Sequence, residues 1–215
     1  MTESAQDPLP EGEGRVRAGP TLRLFVAIEL PEAWLMALAQ LQEEMRRALA
    51  ADLSSKDARV RWVRPEAIHL TLKFLGDAEE EKLESIKRAL ASAVPERPGV
   101  KLALGRAGSF RDRRAPRVIW ASLEADDRLR RLAERIETWL AAAGFPRDRR
   151  SFAPHLTLAR LPEELTPPVR ERVAEITTAC PLSDVAPFEV ERVSLIRSHL
   201  GPGGAIYERL GAWPA

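Results

Sequence analysis

His69-Leu70-Thr71-Leu72 recurs without change as His155-Leu156-Thr157-Leu158 in the second half of the chain. In a β-strand, side chains at positions i and i+2 point to the same face. Each copy, taken as a strand, therefore presents a histidine and a threonine on one face and two leucines on the other. The leucine face is typical of a strand that covers a hydrophobic core, and the His–Thr face is available for chemistry.

The sequences around the two copies are also alike. Arg23-Leu24-Phe25-Val26-Ala27 resembles Arg117-Val118-Ile119-Trp120-Ala121, and each run leads into a long helix, a loop and then the motif. A repeat that occurs only twice, at such a long period, does not indicate a solenoid. It predicts a duplicated lobe with pseudo-twofold symmetry and one motif in each lobe.

Hydrophobic periodicity and turn residues predict a mixed order of strands and helices. Strands are predicted at residues 23–30, 60–63, 68–75, 100–107, 118–123, 154–161 and 188–198, with a final strand ending near residue 210. Helices are predicted at residues 32–50, 79–93, 126–143 and 168–180. Gly76 is expected to end the first motif strand, and the segment between Arg106 and Arg117 is expected to be a loop. This order favours an α+β fold.

The composition describes a globular chain with a polar start. Of 215 residues, 45% are hydrophobic and 30% are charged, which argues against disorder of the whole chain. Residues 1–20 are rich in Glu, Gly and Pro and are expected to form a disordered tail, with one folded domain over residues 21–215. The net charge of +1 gives no overall attraction to nucleic acid, so contacts with RNA must come from local patches.

The cysteine and histidine content limits the other classes of site. Cys180 is the single cysteine, so an internal disulfide is impossible, which fits a reducing compartment. No segment approaches the roughly 18 apolar residues of a membrane span, and the first residues lack the order of a signal peptide. We therefore expect a soluble, cytoplasmic protein. The three histidines and the cysteine are scattered without metal-ligand spacing, so neither a metal nor a cofactor is expected.

Two histidines and two threonines form a minimal set for phosphate chemistry. One histidine can take a proton from a nucleophile while the other gives one to a leaving group. Threonine hydroxyls can donate hydrogen bonds to phosphate oxygens, where negative charge builds in the transition state. One copy alone would favour a core strand with an inert, hydrogen-bonded histidine. The same polar pair in both halves is not required for packing, so the repeat favours catalysis.

Both motif strands continue into a basic residue, but at different offsets. Lys73 lies four positions after His69 and is expected to share its face. Arg160 lies five positions after His155, nominally on the opposite face, so twist or the end of the strand would have to bring it to the site. A guanidinium can bind a phosphate at two points. Each residue could also be a solvated charge at the end of a strand.

Two arginine-rich segments accompany the motifs. They contain Arg106, Arg111, Arg113, Arg114 and Arg117 with Phe110, and Arg147, Arg149 and Arg150 with Phe152. Such segments could hold an RNA end, its phosphates by charge and a base by stacking, or they could be ordinary solvated loops. The candidate substrate contacts are Phe25, Lys73, Arg117 and Phe152. Phe25 lies at the centre of the first strand and could instead fill the core.

With these motifs the chain resembles the two-histidine (2H) phosphoesterases, and most closely the RNA 2′,3′-cyclic phosphodiesterases, also called 2′-5′ RNA ligases. The resemblance extends from about residue 22 to residue 214. Its marks are residues 23–28, 61–63, 69–76, 116–120, 152–160 and 203–213.

The resemblance implies a bilobal α+β fold in which two antiparallel sheets flank a central cleft, with helices on the outer faces. It implies hydrolysis of RNA 2′,3′-cyclic phosphate ends to 2′-phosphates without a metal, with 2′-5′ RNA ligation as the reverse reaction. By motif, His69 corresponds to the proton donor and His155 to the proton acceptor. Thr71, Thr157 and Arg160 correspond to phosphate ligands. The residues alone do not assign the acid and the base.

One alternative is a nucleotide- or RNA-binding module of the same fold that turns over little. Another is a physiological RNA ligase, which the sequence does not separate from the hydrolase. The substrate expected in the first case is an RNA end or nucleotide that bears a 2′,3′-cyclic phosphate.

Overall fold

The computed structural model describes residues 20–52, 60–112, 115–201 and 204–214. The predicted tail lies almost wholly outside these residues. The described strands are β1 (Thr21–Glu29), β2 (Arg61–Trp62), β3 (His69–Glu79), β4 (Val100–Asp112), β5 (Ala115–Ala125), β6 (His155–Arg160), β7 (Phe188–Val190), β8 (Val193–Gly201) and β9 (Gly204–Trp213). The described helices are α1 (Glu32–Asp52), α2 (Leu83–Ala93), α3 (Asp127–Ala142) and α4 (Pro167–Ala179).

The strands form one curled antiparallel sheet with the order β7-β4-β5-β6-β3-β1-β8-β9, and β2 pairs with β6. The two motif strands, β3 and β6, are neighbours at the centre of this order. They are joined through a single residue pair, Leu70 and Leu156. The expected α+β class and antiparallel lobes are thus confirmed, and the two half-sheets prove to be continuous where the motifs meet.

Several strand ends differ from the prediction. β4 and β5 form a long hairpin that extends to Asp112 and resumes at Ala115, so most of the expected arginine-rich loop is strand. β3 continues past Gly76 to Glu79: Gly76 adopts a φ of 72° but still pairs with Leu24 of β1, and the pairing continues as far as Glu79. The predicted strand over residues 188–198 is divided into β7 and β8.

The two long helices are exchanged between the lobes. α1 follows β1 but packs beside α4, and its Trp34 meets Phe188 of β7 edge to face at 4.7 Å. α3 follows β5 but packs beside α2 and against β3. One hydrophobic cluster includes residues of both lobes, among them the four motif leucines. The exchange ties each motif strand to the helix of the opposite repeat.

No helix within residues 20–52, 60–112, 115–201 and 204–214 has the length and apolarity to cross a membrane.

Candidate active site

The motif residues divide between the two faces of the sheet as the sequence predicts. The four motif leucines are buried in the core, at 4% exposure or less. The histidines and threonines are half-buried on the opposite face. β3 and β6 are antiparallel and paired at Leu70 and Leu156. His69 is therefore next to Thr157 across the pair of strands, and His155 is next to Thr71. The two copies therefore belong to one site.

Both imidazoles are held in the same orientation. Nδ1 of His69 lies 2.8 Å from the carbonyl oxygen of Ala67, and Nδ1 of His155 lies 2.8 Å from that of Ala153. A carbonyl oxygen only accepts hydrogen bonds, so each Nδ1 carries the proton and donates it. In the neutral ring, Nε2 then keeps its lone pair and is the atom that exchanges protons. Each histidine is thus oriented as an acid–base group.

Aromatic rings surround His69. Phe25 stacks on its imidazole at 4.6 Å between ring centres, and Tyr207 meets it edge to face at 5.2 Å. Phe25 is only 3% exposed and belongs to a small apolar cluster with Ala27 and Ile196. The candidate role of Phe25 as a substrate contact is therefore wrong, since its surface is covered, and its ring supports the imidazole instead.

His155 has different neighbours. The ring of Phe110 meets its imidazole edge to face at 4.7 Å and also lies 5.0 Å from the ring of Trp120.

Burial lowers the pKa of His69, and the nearby His155 adds to this effect. The hydrogen bond to Ala67 and the carboxylate of Glu29 act in the opposite direction. In the free protein, His69 is therefore biased toward the neutral ring. An anionic phosphate beside it favours the charged form and raises its pKa.

Each motif strand contains a β-bulge at the last leucine of the motif. Opposite β1, Val26 pairs with Lys73 and Ala27 with Thr71, so Leu72 is the extra residue. Opposite β5, Ile119 pairs with Ala159 and Trp120 with Thr157, so Leu158 is extra. A bulge shifts the alternation of faces by one residue.

The shift decides which later residues join the site. Arg160 is exposed at the cleft, although its offset of five from His155 nominally placed it on the other face. Phe74 is the residue at the same offset from His69, and it is also exposed at the cleft. The residues at the preceding offset, Lys73 and Ala159, are buried.

The expectation that Lys73 shares the face of His69 is wrong, as is its candidate role as a substrate contact. Its side chain is 1% exposed and forms an ion pair with Glu137 of α3. Nζ donates to both carboxylate oxygens, at 2.9 and 2.8 Å, and to the carbonyl oxygen of Pro146 at 2.9 Å. The bulge places the ammonium in the junction between β3 and α3, where the ion pair occupies it at the wall of the cleft.

The second bulge is held by the equivalent helix residue. Gln42 has the same position in α1 that Glu137 has in α3, ten residues after the first residue of its helix. Its fully buried Nε2 donates to the carbonyl oxygens of Leu158 at 2.9 Å and Val63 at 2.8 Å. Each exchanged helix therefore anchors the bulge of the opposite motif strand.

A cleft of about 1730 Å³ opens beside the motifs. Its lining includes Thr71, Phe74, Phe110, His155 and Arg160, and further along Phe152 and a group of arginines: Arg61, Arg117, Arg130, Arg147, Arg149 and Arg150. Acidic residues neutralise part of this group. Arg117 donates to Glu163 at 2.5 Å, and Arg130 is paired with Glu134 at 2.8 Å.

Arg117 and Phe152, the two other candidate substrate contacts, both line the cleft, and each also stabilises the fold. Phe152 packs against the main hydrophobic core, and the carbonyl oxygen of Arg117 accepts a hydrogen bond from the Leu161 amide. Arg113 and Arg114 lie outside the described residues, as does the side chain of Arg111.

His199, the third histidine of the chain, lies on β8 and is hydrogen-bonded to Glu208 at 2.8 Å. In the described parts of the chain, no three His, Cys, Asp or Glu side chains are grouped so that they could hold a metal ion.

Sequence reasoning missed two residues beside the motifs, Tyr207 and Phe74. Tyr207 is the single tyrosine of the chain, and burial raises the pKa of its hydroxyl against the opposing effect of Arg160, Arg64 and Arg23. Its position beside His69 depends on the pairing of β9 with β8, which the sequence does not reveal. Phe74 could have been found by comparing equal offsets from the two histidines.

Comparisons with known proteins agree with this geometry. The family model described as LigT like Phosphoesterase matches residues 28–120 and 122–207. The RNA 2′,3′-cyclic phosphodiesterase of Archaeoglobus fulgidus is 33% identical over 88% of this chain and 98% of its own length. That of Methanothermobacter thermautotrophicus is 31% identical over 86% and 95%.

Solved structures show the same fold. Escherichia coli LigT complexed with 3′-AMP matches with a TM-score of 0.61 and 26% identity, over 90% of this chain and 97% of that one. The family model spans the two motifs and the exchanged helices and reaches Tyr207. The chain therefore belongs to the LigT-like phosphoesterases of the two-histidine superfamily.

Proposed function

We propose that this protein hydrolyses 2′,3′-cyclic phosphate ends of RNA to 2′-phosphates by acid–base catalysis between His69 and His155. The observation that carries the proposal is the equivalent anchoring of the two imidazoles. Each donates from Nδ1 to the carbonyl oxygen two residues before it, which leaves Nε2 for the substrate. A cyclic phosphate bound between the motifs would then have one proton-exchanging nitrogen on each side.

In the proposed reaction, His155 takes a proton from water as the water oxygen attacks phosphorus. The bond from phosphorus to the 3′ oxygen breaks, and His69 gives its proton to that oxygen. The products are a 3′-hydroxyl and a 2′-phosphate, and the two histidines have exchanged charge states. Thr71 and Thr157 donate hydrogen bonds to the non-bridging oxygens, and Arg160 binds the negative charge that builds on them.

The assignment of His69 as the acid fits its surroundings once substrate is bound. Burial disfavours a charged ring in the free protein, whereas the Glu29 carboxylate and the substrate phosphate both favour it. A phosphate therefore increases the protonated fraction of the group that must donate. His155 lies on the other side of the site, where water would approach.

The substrate class is supported by the arginines of the cleft. Arg149 and Arg150 line it, and neither forms an ion pair or hydrogen bond with another residue that the structure describes. Free guanidinium groups suit the phosphates of an RNA strand leading away from its cyclic end. The curated relatives carry the name RNA 2′,3′-cyclic phosphodiesterase, and E. coli LigT is known in complex with 3′-AMP, a ribonucleotide.

Phosphorus NMR on adenosine 2′,3′-cyclic phosphate tests the proposal, in excess EDTA. We expect the 2′-phosphate as product and a rate loss of about 10²- to 10⁴-fold in either His69→Ala or His155→Ala. His199→Ala is the matched control, because this third histidine is bonded to Glu208 away from the motifs. A 3′-phosphate product contradicts the assigned geometry, and full activity of His155→Ala contradicts the mechanism.

The same machinery also accounts for 2′-5′ ligation. If the 5′-hydroxyl of a second RNA replaces water, His155 takes its proton and a 2′-5′ phosphodiester forms as the 3′ oxygen leaves. This is the reverse of the cleavage of a 2′-5′ bond. Measuring both rates and the equilibrium on one RNA determines which direction the protein favours.

A further inference from the structure

The two histidines have the same anchor at Nδ1 but different partners on the neighbouring strand. Glu29 of β1 pairs with His69, and Ser122 of β5 pairs with His155. Residues that pair directly across two antiparallel strands share a face of the sheet, with their Cβ atoms about 5 Å apart. A carboxylate therefore lies beside one imidazole and a hydroxyl group beside the other. The pseudo-twofold symmetry of the motifs ends at these two partners.

The Glu29 carboxylate is held in place by two donors. Its Oε2 atom accepts hydrogen bonds from Ser194 Oγ at 2.6 Å and from Arg209 Nη1 at 3.0 Å. Ser194 is 2% exposed on β8, and Arg209 lies on β9, so the donors come from the two strands that follow β1 in the sheet. Because donors on separate strands restrain the carboxylate, its charge stays close to the His69 ring.

Ser122 gives His155 no equivalent charge. Its hydroxyl oxygen accepts a hydrogen bond from the Arg106 amide at 2.8 Å, which turns the side chain toward β4 and away from β6. A serine hydroxyl carries no charge near neutral pH. The two imidazoles therefore differ in the electrostatic effect of their cross-strand partners, although their own hydrogen bonds are alike.

The other charged and titratable groups that act on His69 or on its neighbour Tyr207 do not favour a proton on the imidazole. They are His155 of β6, Tyr207 itself, Arg209 beside Glu29, and Arg160, Arg64 and Arg23 around the tyrosine hydroxyl. His155 lowers the pKa of His69, and guanidinium groups repel a second positive charge. The Tyr207 hydroxyl is neutral near pH 7, because burial raises its pKa. Glu29 is the member of this group whose charge favours the protonated imidazole.

A general acid must carry its proton before the reaction starts, and a general base must lack one. We propose that Glu29 is a positioning residue that keeps the reacting proton on His69 rather than on His155, and so makes His69 the acid of the pair. Ser194 and Arg209 contribute by holding the carboxylate beside the ring. This inference rests on the proposed function, and it adds a physical reason why two identical motifs perform different steps.

Glu29→Gln tests the inference, since glutamine keeps the size and an accepting oxygen of the side chain and removes its charge. In the free protein, an NMR titration of the imidazole protons should give a lower pKa for His69 in Glu29→Gln, and an unchanged one for His199, which is bonded to Glu208. With adenosine 2′,3′-cyclic phosphate, kcat should fall about 3- to 10-fold at about pH 8 and much less at about pH 6, because the acid loses its proton at a lower pH. Glu29→Asp keeps the charge and should restore most of kcat at the higher pH.

Glu79→Gln is the matched control, because Glu79 is an exposed carboxylate at the other end of the same pair of strands, opposite Thr21. It should change neither the titration nor the pH profile. An unchanged pKa of His69 in Glu29→Gln overturns the inference, and so does a loss of kcat that is equal at both pH values, since that indicates a structural role. If the wild-type protein does not hydrolyse the cyclic phosphate, the proposed function fails instead. The titration alone then decides whether Glu29 keeps the proton on His69.

Discussion

The variant Lys73→Met distinguishes two roles of Lys73: a contact with substrate, or a buried ion pair that stabilises the fold. Lys73 is 1% exposed and donates three hydrogen bonds, two to the Glu137 carboxylate and one to the Pro146 carbonyl oxygen. Methionine fills much of the same volume but leaves the carboxylate without its partner. We therefore expect the substitution to lower the free energy of unfolding and to leave KM nearly unchanged.

The magnitude follows from the burial of the partner. Removing one member of a buried ion pair costs about 3–5 kcal/mol, because the remaining charge stays desolvated. Glu137 keeps 17% exposure, so water compensates part of this loss and we expect about 3 kcal/mol. In a chain of this size, that corresponds to a fall in Tm of about 6–12 °C.

Urea denaturation and thermal melting measure the effect. The double variant Lys73→Met/Glu137→Leu removes both charges and should recover most of the lost stability. Lys87→Met is the control, since the Lys87–Glu84 pair is exposed and should contribute little to the free energy of unfolding. An unchanged free energy of unfolding together with a raised KM in Lys73→Met would refute this reasoning and return Lys73 to the substrate site.

Three further predictions concern the motif strands. Gln42→Leu removes the side-chain donor to the carbonyl oxygens of Val63 and Leu158, and leaves Leu158 with the Val63 amide alone. We therefore expect a loss of about 1–3 kcal/mol in urea denaturation and weaker binding of inorganic phosphate, because the bulge that presents Arg160 is loosened; unchanged phosphate affinity would contradict this. Thr157→Val should lower kcat about 10²- to 10³-fold with little change in Tm, and equal losses in Tm and kcat would indicate a structural role instead. Because the pKa of His69 is lower in the folded than in the unfolded chain, the unfolded state binds its proton first on acidification. As the pH is lowered from about 7.5 to about 5.5, the free energy of unfolding should therefore fall, and it should fall less in His69→Gln. An equal fall in both proteins would count against a lowered pKa of His69.

The repeated motif was informative because its effect is local. Alternation along a strand places His69 with Thr71, and His155 with Thr157, whatever the rest of the chain does. The exact repeat in two similar halves then predicts that the copies share one site, and the central pairing of β3 with β6 places the two copies side by side. The helix prediction succeeded for the same reason: the start of α1 at Glu32 and the end of α3 before Gly144, with its φ of 91°, depend on nearby residues.

The errors came from the bulges. A regular strand places Lys73 beside His69 and turns Arg160 away, and the structure reverses both. An extra residue in one strand is visible only against its neighbour, because it is defined by pairing. The pairing with β1 and β5, and the hydrogen bond from Gln42 to Leu158, join residues that are far apart in the chain.

The sequence by itself determined which side chains are available at the motifs: two His–Thr pairs on polar faces, two leucine pairs behind them, and a duplication that predicts that the two copies share one site. Tertiary structure decided what surrounds that chemistry. It buried Lys73 against Glu137, supported His69 with Phe25 and Tyr207, and brought Arg160 and Phe74 to the cleft. The physical reason is that side-chain type and alternation are local properties, whereas the face that a residue presents after a bulge depends on the strands and exchanged helices packed against it.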